Sequence, residues 1–246
     1  LIMTAKASKK GLIKIKKNNN IGKIILDAKN RGEKIRLLVW MIFEQIPVGQ
    51  MQNFSYLIGD ENSKEAAVVD PAWENGKILE HSKKHNLNIK FILITHSHYD
   101  HIDGVKRMFD ATDATVYVHK DDLLEIEKLN IEKIEKIKNN QIISIGKIKS
   151  KVLHTPGHTP GSVCYLLDNK IIAGDMLFVE GIGRVDLPGG DIGEMFNSLQ
   201  KLKELDGNIE VYPGHDYGSR KSSTIAYEKK NNLYMKASKE EFFRIR

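Results

Sequence analysis

The chain holds one cysteine, Cys164, in 246 residues. That excludes an internal disulfide framework and fits a reducing cytoplasm. It also lacks long apolar runs. The longest near the N-terminus, Leu37 to Phe43, falls far short of the roughly 20 residues that a membrane-spanning helix needs. No secretory signal is expected, because the early basic residues are not followed by a long apolar segment and a small-residue cleavage site. No internal repeat marks a solenoid. What remains is an ordinary globular composition, 41% hydrophobic and 28% charged, long enough for one sizeable domain with a full core.

The net charge of +6 is unevenly spread. Residues 1–39 hold 11 Lys/Arg and 2 Asp/Glu, a net +9, and the remainder carries −3. Residues 1–40 are therefore expected to be a basic, weakly ordered extension, with Lys9-Lys10, Lys16-Lys17 and Asn18-Asn19-Asn20 suiting a mobile segment. A basic tail can bind nucleic acid. This one has no interleaved aromatics and the body is acidic, so nucleic acid is not expected as the partner. Residues 41–246 are expected to form the folded domain.

From Met41 the pattern alternates. Strands are expected at 43–48, 54–58, 66–69, 91–95, 115–119, 141–145, 148–153, 162–167, 170–173 and 209–212. Helices are expected at 74–86, 102–109, 121–138, 193–205 and 222–235. The strands arrive in two groups, each followed by helices, which predicts two sheets covered by helices outside.

The stretch Thr95-His96-Ser97-His98-Tyr99-Asp100-His101 follows the apolar strand Phe91-Ile92-Leu93-Ile94. Alternation along a strand sends His96 and His98 the same way. Four donors crowded on one strand end need a cation. Three more stand at other strand ends: His158 in the Pro/Gly-rich turn Thr155-Pro156-Gly157-His158-Thr159-Pro160-Gly161, Asp175 after Ala173-Gly174, and His215 after Pro213-Gly214. Five of the nine histidines fall in this set.

The other histidines read as structural. His81 and His85 sit in a Lys-rich stretch and are expected on a solvated face. His119 ends a strand, and His154 is placed to orient the His158 turn. Cys164 lies in an alternating apolar strand, a core thiol by default. Ser162 is expected to cap the ligand turn.

The seven donors resemble the metallo-β-lactamase superfamily, and within it the glyoxalase II-like (hydroxyacylglutathione hydrolase-like) branch, over about residues 42–245. The resemblance implies an α+β fold: an αβ/βα four-layer sandwich of two mixed sheets with helices outside and metals in a groove at one edge. It implies that His96, His98 and His158 hold one metal, that Asp100, His101 and His215 hold a second, and that Asp175 bridges both. Two divalent ions per chain are expected. Nitrogen-rich donors with carboxylates suit zinc, and iron and manganese also fit. In the family the loop after Asp175 borders the substrate, so Arg184 is expected to contact an anionic substrate group; its structural alternative is a pair with Asp186 or Asp191. Tyr217 is a second candidate contact.

The resemblance implies hydrolysis of a small-molecule thioester by a metal-bound hydroxide, with Asp100 orienting the nucleophile as well as ligating. Full glyoxalase II enzymes carry a longer C-terminal helical domain for glutathione; 31 residues follow His215 here, so the carrier thiol stays open. Two alternatives remain. One is a persulfide dioxygenase with a single iron held by His96, His158 and Asp175. The other, of a different class, is a nucleic-acid-acting or -binding member using the basic tail. The acyl group and the oligomeric state are not legible.

Overall fold

The protein is described from a computed structural model, which covers residues 41–245. The expectation for residues 1–40, a basic and weakly ordered extension, lies outside the described residues.

Two six-stranded sheets form the centre. The first runs in chain order through β1 (Met41–Val48), β2 (Asn53–Asp60), β3 (Glu65–Val69), β4 (Asn88–Leu93), β5 (Thr115–His119) and β6 (Ile134–Ile137). Its first three strands are antiparallel and β3 to β6 are parallel. The second has the order β12 (Ser223–Thr224), β11 (Glu210–Pro213), β10 (Lys170–Gly174), β9 (Val163–Leu167), β8 (Ile148–His154), β7 (Ile142–Ile145). There only β10 and β11 pair in parallel. Both sheets are thus mixed.

The two-residue period of the strands divides the core into three apolar layers. On β2, Leu57 points to the outer face of the first sheet while Phe54, Tyr56 and Ile58 point between the sheets. On β9, Val163, Tyr165 and Leu167 meet them from the second sheet, and Cys164 faces the other way. Sheets buried on both faces read as near-continuous apolar runs, and every residue of β2 is buried. Helices α1 (Asn75–Lys84), α2 (Tyr99–Ile102), α3 (Val105–Thr112) and α4 (Leu123–Glu127) lie in the chain segments between strands of the first sheet. Of these, Ile78, Val105, Met108, Leu123 and Ile126 supply its outer core. Helices α5 (Ile192–Lys203), α6 (Ile225–Asn231), α7 (Leu233–Lys236) and α8 (Lys239–Arg244) cover the second through Met195, Leu199, Ile225, Met235 and Phe242. The result is the expected helix–sheet–sheet–helix sandwich.

Two segments depart from the helices expected in the sequence. The stretch 121–138 is a 3-10 turn at Lys120–Asp122, the short α4, and then strand β6. Asn130 takes φ 52°, a left-handed conformation that ends a helix. Beyond it, Ile134 packs against the outer core and Ile137 between the sheets. An odd spacing puts two residues on opposite faces of a strand, and pairing with β5 satisfies the backbone. Three-residue isoleucine spacing fitted a helix face equally well. The stretch 222–235 begins as β12 and is then split between α6 and α7 at Asn232, whose side chain accepts from Tyr234 N at 3.0 Å. Helix α8, opened by a Ser238–Glu241 capping box, was not legible in the sequence.

Candidate metal centre

All seven donors meet where the strand ends of both sheets converge. His96 and His98 leave the end of β4, and α2 carries Asp100 and His101. His158 lies in the turn between β8 and β9, Asp175 follows β10 directly, and His215 follows β11. The sheets are stitched at this edge: Phe54 N donates to Gly214 O at 2.8 Å, and Val163 N to Thr95 O at 2.8 Å. Parallel pairing of β10 and β11 sets Asp175 and His215 side by side. Glycine is required for that approach: a Cβ at Gly214 would lie 2.2 Å from Asp175 Oδ1. Gly157, at φ 138°, turns the His158 loop where a Cβ would strike the Met195 backbone at 2.4 Å.

The donors fall into two triads. Ligand atoms of His96, His98 and His158 lie within 4.8 Å of one another, as do those of Asp100, His101 and His215. Asp175 stands between them: its Oδ2 is 3.4 Å from His158 Nε2 and 3.4 Å from His215 Nε2, and its Oδ1 is 3.4 Å from His101 Nε2. His101 and His215 face each other nitrogen to nitrogen at 3.1 Å, and His98 Nδ1 faces His158 Nε2 at 2.8 Å.

The donor chemistry fits cations. Opposed imidazole nitrogens repel unless a proton or a metal lies between them. His96 Nε2 and Asp175 Oδ1 are buried without a hydrogen-bond partner among the described residues, a costly arrangement that a bound ion removes. The far nitrogens are already committed. His158 Nδ1 donates to Arg184 O at 2.6 Å and His215 Nδ1 to Met51 O at 2.8 Å. In the neutral ring this leaves Nε2 as a lone pair aimed into the site.

Electrostatics separates the two halves. Burial drives His96 well below the ordinary imidazole value, with His101 acting the same way. Burial likewise lowers His98 and His158. These three are ready as neutral ligands. In the other half, burial is outweighed by carboxylates: Asp175 and Asp70 hold His101 well above its ordinary value, and Asp100 and Asp175 raise His215 to about 9. Burial would raise the carboxylates too, but His215 and His101 bring Asp100 down to about 2 and His101 holds Asp175 well below its usual range. The protein alone thus stores positive charge as protons where a divalent ion would supply it.

Three positioning residues were not legible in the sequence. Asp70, buried after β3 at φ 47°, accepts from Thr95 N at 2.8 Å and from Thr95 Oγ1 at 2.5 Å, and contacts His101 Nδ1 at 3.1 Å. Asn53 donates to Asp100 Oδ2 at 2.9 Å. Asp122 reaches both histidine loops. Asp70 could have been found by the rule that picked Asp175, an acid just past a buried strand; Asn53 and Asp122 had no such signal.

Other expected residues fall as follows. His154 Nε2 lies 2.9 Å from Pro160 O, within the His158 turn, and Ser162 Oγ accepts from Thr159 N at 3.0 Å. His81 and His85 are not simply solvated: each contacts one oxygen of Glu44, at 2.8 and 2.6 Å. The Arg184 guanidinium is exposed and forks onto Asp186 at 2.9 and 2.8 Å. Tyr217, also exposed, stacks on His215 at 4.5 Å between ring centroids.

The chain is 36% identical to the probable polyketide biosynthesis zinc-dependent hydrolase PksB of Bacillus subtilis, over 78% of this chain and 85% of that protein. It is 37% identical to a hydroxyacylglutathione hydrolase of Francisella philomiragia, over 68% of this chain and 64% of the enzyme's own length. The crystal structure of ETHE1 from Myxococcus xanthus matches with a TM-score of 0.75 and 32% identity, covering 83% of this chain and 89% of that one. The model of the metallo-beta-lactamase superfamily matches residues 48–215, across every donor described above, and the chain belongs to that superfamily.

Proposed function

We propose that this protein is a metal-dependent hydrolase that cleaves small-molecule thioesters at a dinuclear site. The observation that carries the reading is the pair of donor triads joined by Asp175, whose carboxylate oxygens lie 3.4 Å from His158, His215 and His101. Zinc suits this set, since borderline ions accept mixed imidazole and carboxylate ligands; iron and manganese also fit. Similarity to a zinc-dependent hydrolase and to a hydroxyacylglutathione hydrolase supports the class.

His96, His98 and His158 would hold one ion, Asp100, His101 and His215 the other, and Asp175 both. Bound ions supply an acidified water and polarise the acyl carbonyl. The chain's residues do the rest. Asp100, kept ionised and held by Asn53, would orient the attacking water as well as ligate. Tyr217, stacked on His215 and half exposed, offers an aromatic face to the incoming substrate. Arg184, fixed at its carbonyl by His158, can swing its guanidinium from Asp186 to a substrate carboxylate.

The test is a thioester panel, covering acyl-glutathione, acyl-coenzyme A and acyl-pantetheine compounds, assayed with protein purified without added metal and with metal counted per chain. Turnover that a chelator removes and zinc restores, with two ions per chain, is expected. One iron per chain with persulfide-dependent oxygen uptake and no thioester turnover would overturn it.

A further inference from the structure

Asp122 stands outside both triads, in the 3-10 turn Lys120–Asp122 that follows β5. It is 5% exposed, and its carboxylate makes three hydrogen bonds. Oδ2 accepts from Ser97 N at 2.8 Å and from Thr159 Oγ1 at 2.8 Å, and Oδ1 accepts from Gly161 N at 2.8 Å. Ser97 is the residue between His96 and His98, and Thr159 is the residue after His158. One buried carboxylate therefore holds the two loops that carry the first triad. These loops come from different sheets, and their histidines are 60 residues apart in the chain.

The bracket is tight. A Cβ at Gly161 would lie 2.5 Å from Asp122 Oδ1. A second tie runs beside it. His119, at the end of the same β5, stacks on His154 at 4.0 Å between ring centroids, and His154 Nε2 meets Pro160 O at 2.9 Å. None of the hydrogen bonds of Asp122 reaches Asp100, His101 or His215.

We infer that Asp122 is a positioning residue that sets the geometry of the first metal site alone, by fixing the distance between the His96–His98 loop and the His158 turn. The inference rests on the metal-site half of the proposed function and not on the substrate. A carboxylate is required because all three partners donate. An amide has one acceptor and one donor, so an asparagine sets an N–H against at least one of Ser97 N and Gly161 N. Outer groups bonded to the ligands themselves change metal affinity by about 10–100-fold, and Asp122 acts one residue away, through Ser97 and Thr159.

The experiment measures zinc and cobalt binding to the metal-free protein by chelator competition and by the cobalt visible spectrum, for Asp122→Asn, Asp122→Ala, His98→Ala and His101→Ala. Folding is monitored by protection of Cys164 from a thiol reagent. In folded Asp122→Asn, the equivalent that His98→Ala removes is expected to weaken about 10-fold or more, with a changed cobalt spectrum, and the equivalent that His101→Ala removes is expected to keep its affinity. Asp122→Ala should weaken the first further. Wild-type affinity for both equivalents in folded Asp122→Asn overturns the inference. So does equal weakening of both, which marks a general structural role. Thioester turnover is not read, so a protein of another activity still tests Asp122.

Discussion

Asp70 and His101 form the inner strut of the second triad. Asp70 Oδ2 sits 3.1 Å from His101 Nδ1, on the side of the ring away from His215. Both groups are almost fully buried, at 3% and 1% exposure. The carboxylate orients the ring and raises its basicity, which strengthens it as a ligand. The same carboxylate accepts from Thr95, whose hydroxyl lies 3.0 Å from His96 Nδ1. Asp70 thus reaches a ligand of each triad without being counted in either by the sequence. Asp70→Asn should weaken metal binding about 10–100-fold. Isothermal titration would check it, and unchanged binding of both ions would remove Asp70 from the site.

His101→Ala separates a dinuclear site from a mononuclear one. The variant should lose about one metal equivalent and lower thioester turnover by roughly 10²-fold or more, the size of losing a metal-organised contact to developing charge. Elemental analysis gives the first readout and steady-state kinetics the second. A variant that keeps all its metal contradicts the two-ion arrangement.

Arg184→Ala tests the exposed fork. Both partners are well exposed, at 62% and 67%, so solvent screens the pair with Asp186 and it adds little to stability. The melting temperature should hardly move. KM should rise for a thioester bearing a carboxylate and stay close to wild type for a neutral one. Equal losses for both would leave Arg184 as a partner of Asp186 only.

The metal-free protein should be most stable near pH 6.5. Burial lowers His96, His98 and His158, so below about pH 6.5 the unfolded chain takes up protons that the folded one refuses, and stability falls with acid. His101 is raised well above its ordinary value and His215 to about 9; both contributions are complete below about 6.5, and that of His215 is lost as pH climbs through 9. Metal affinity should instead rise with pH, because ions displace those same protons. Denaturant melts of chelated protein from pH 5 to 10 would show the peak; stability that climbs steadily to pH 10 would refute it.

Cys164 should report global unfolding. It is fully buried, contacts Thr155 Oγ1 at 3.3 Å, and burial pushes its thiol up to about 12. The thiolate is the reactive form. A thiol reagent should label well under one equivalent in the native state and one equivalent in denaturant. Fast labelling of the native protein would place Cys164 outside the core.

The sequence by itself singled out the seven candidate donors. The His96–His101 stretch and Asp175 stand just past apolar runs, a Gly precedes each of His158, Asp175 and His215, and such local chemistry is written residue by residue. The two groups of strands, each followed by helices, also made two covered sheets legible. Three things needed the tertiary structure. Ile131, Ile134 and Ile137 suit a helix face or a strand, and only pairing with β5 chose the strand for Ile134–Ile137. The closeness of Asp175 to His215 depends on strand order: β10 lies beside β11 and brings them together, although they are far apart in the chain. The supports were invisible for the same reason. Asn53 and Asp122 look like ordinary turn residues until hydrogen bonds to Asp100 and to the Ser97 and Thr159 loops give them partners. A buried polar group is specified by what it meets, and what it meets lies on another strand.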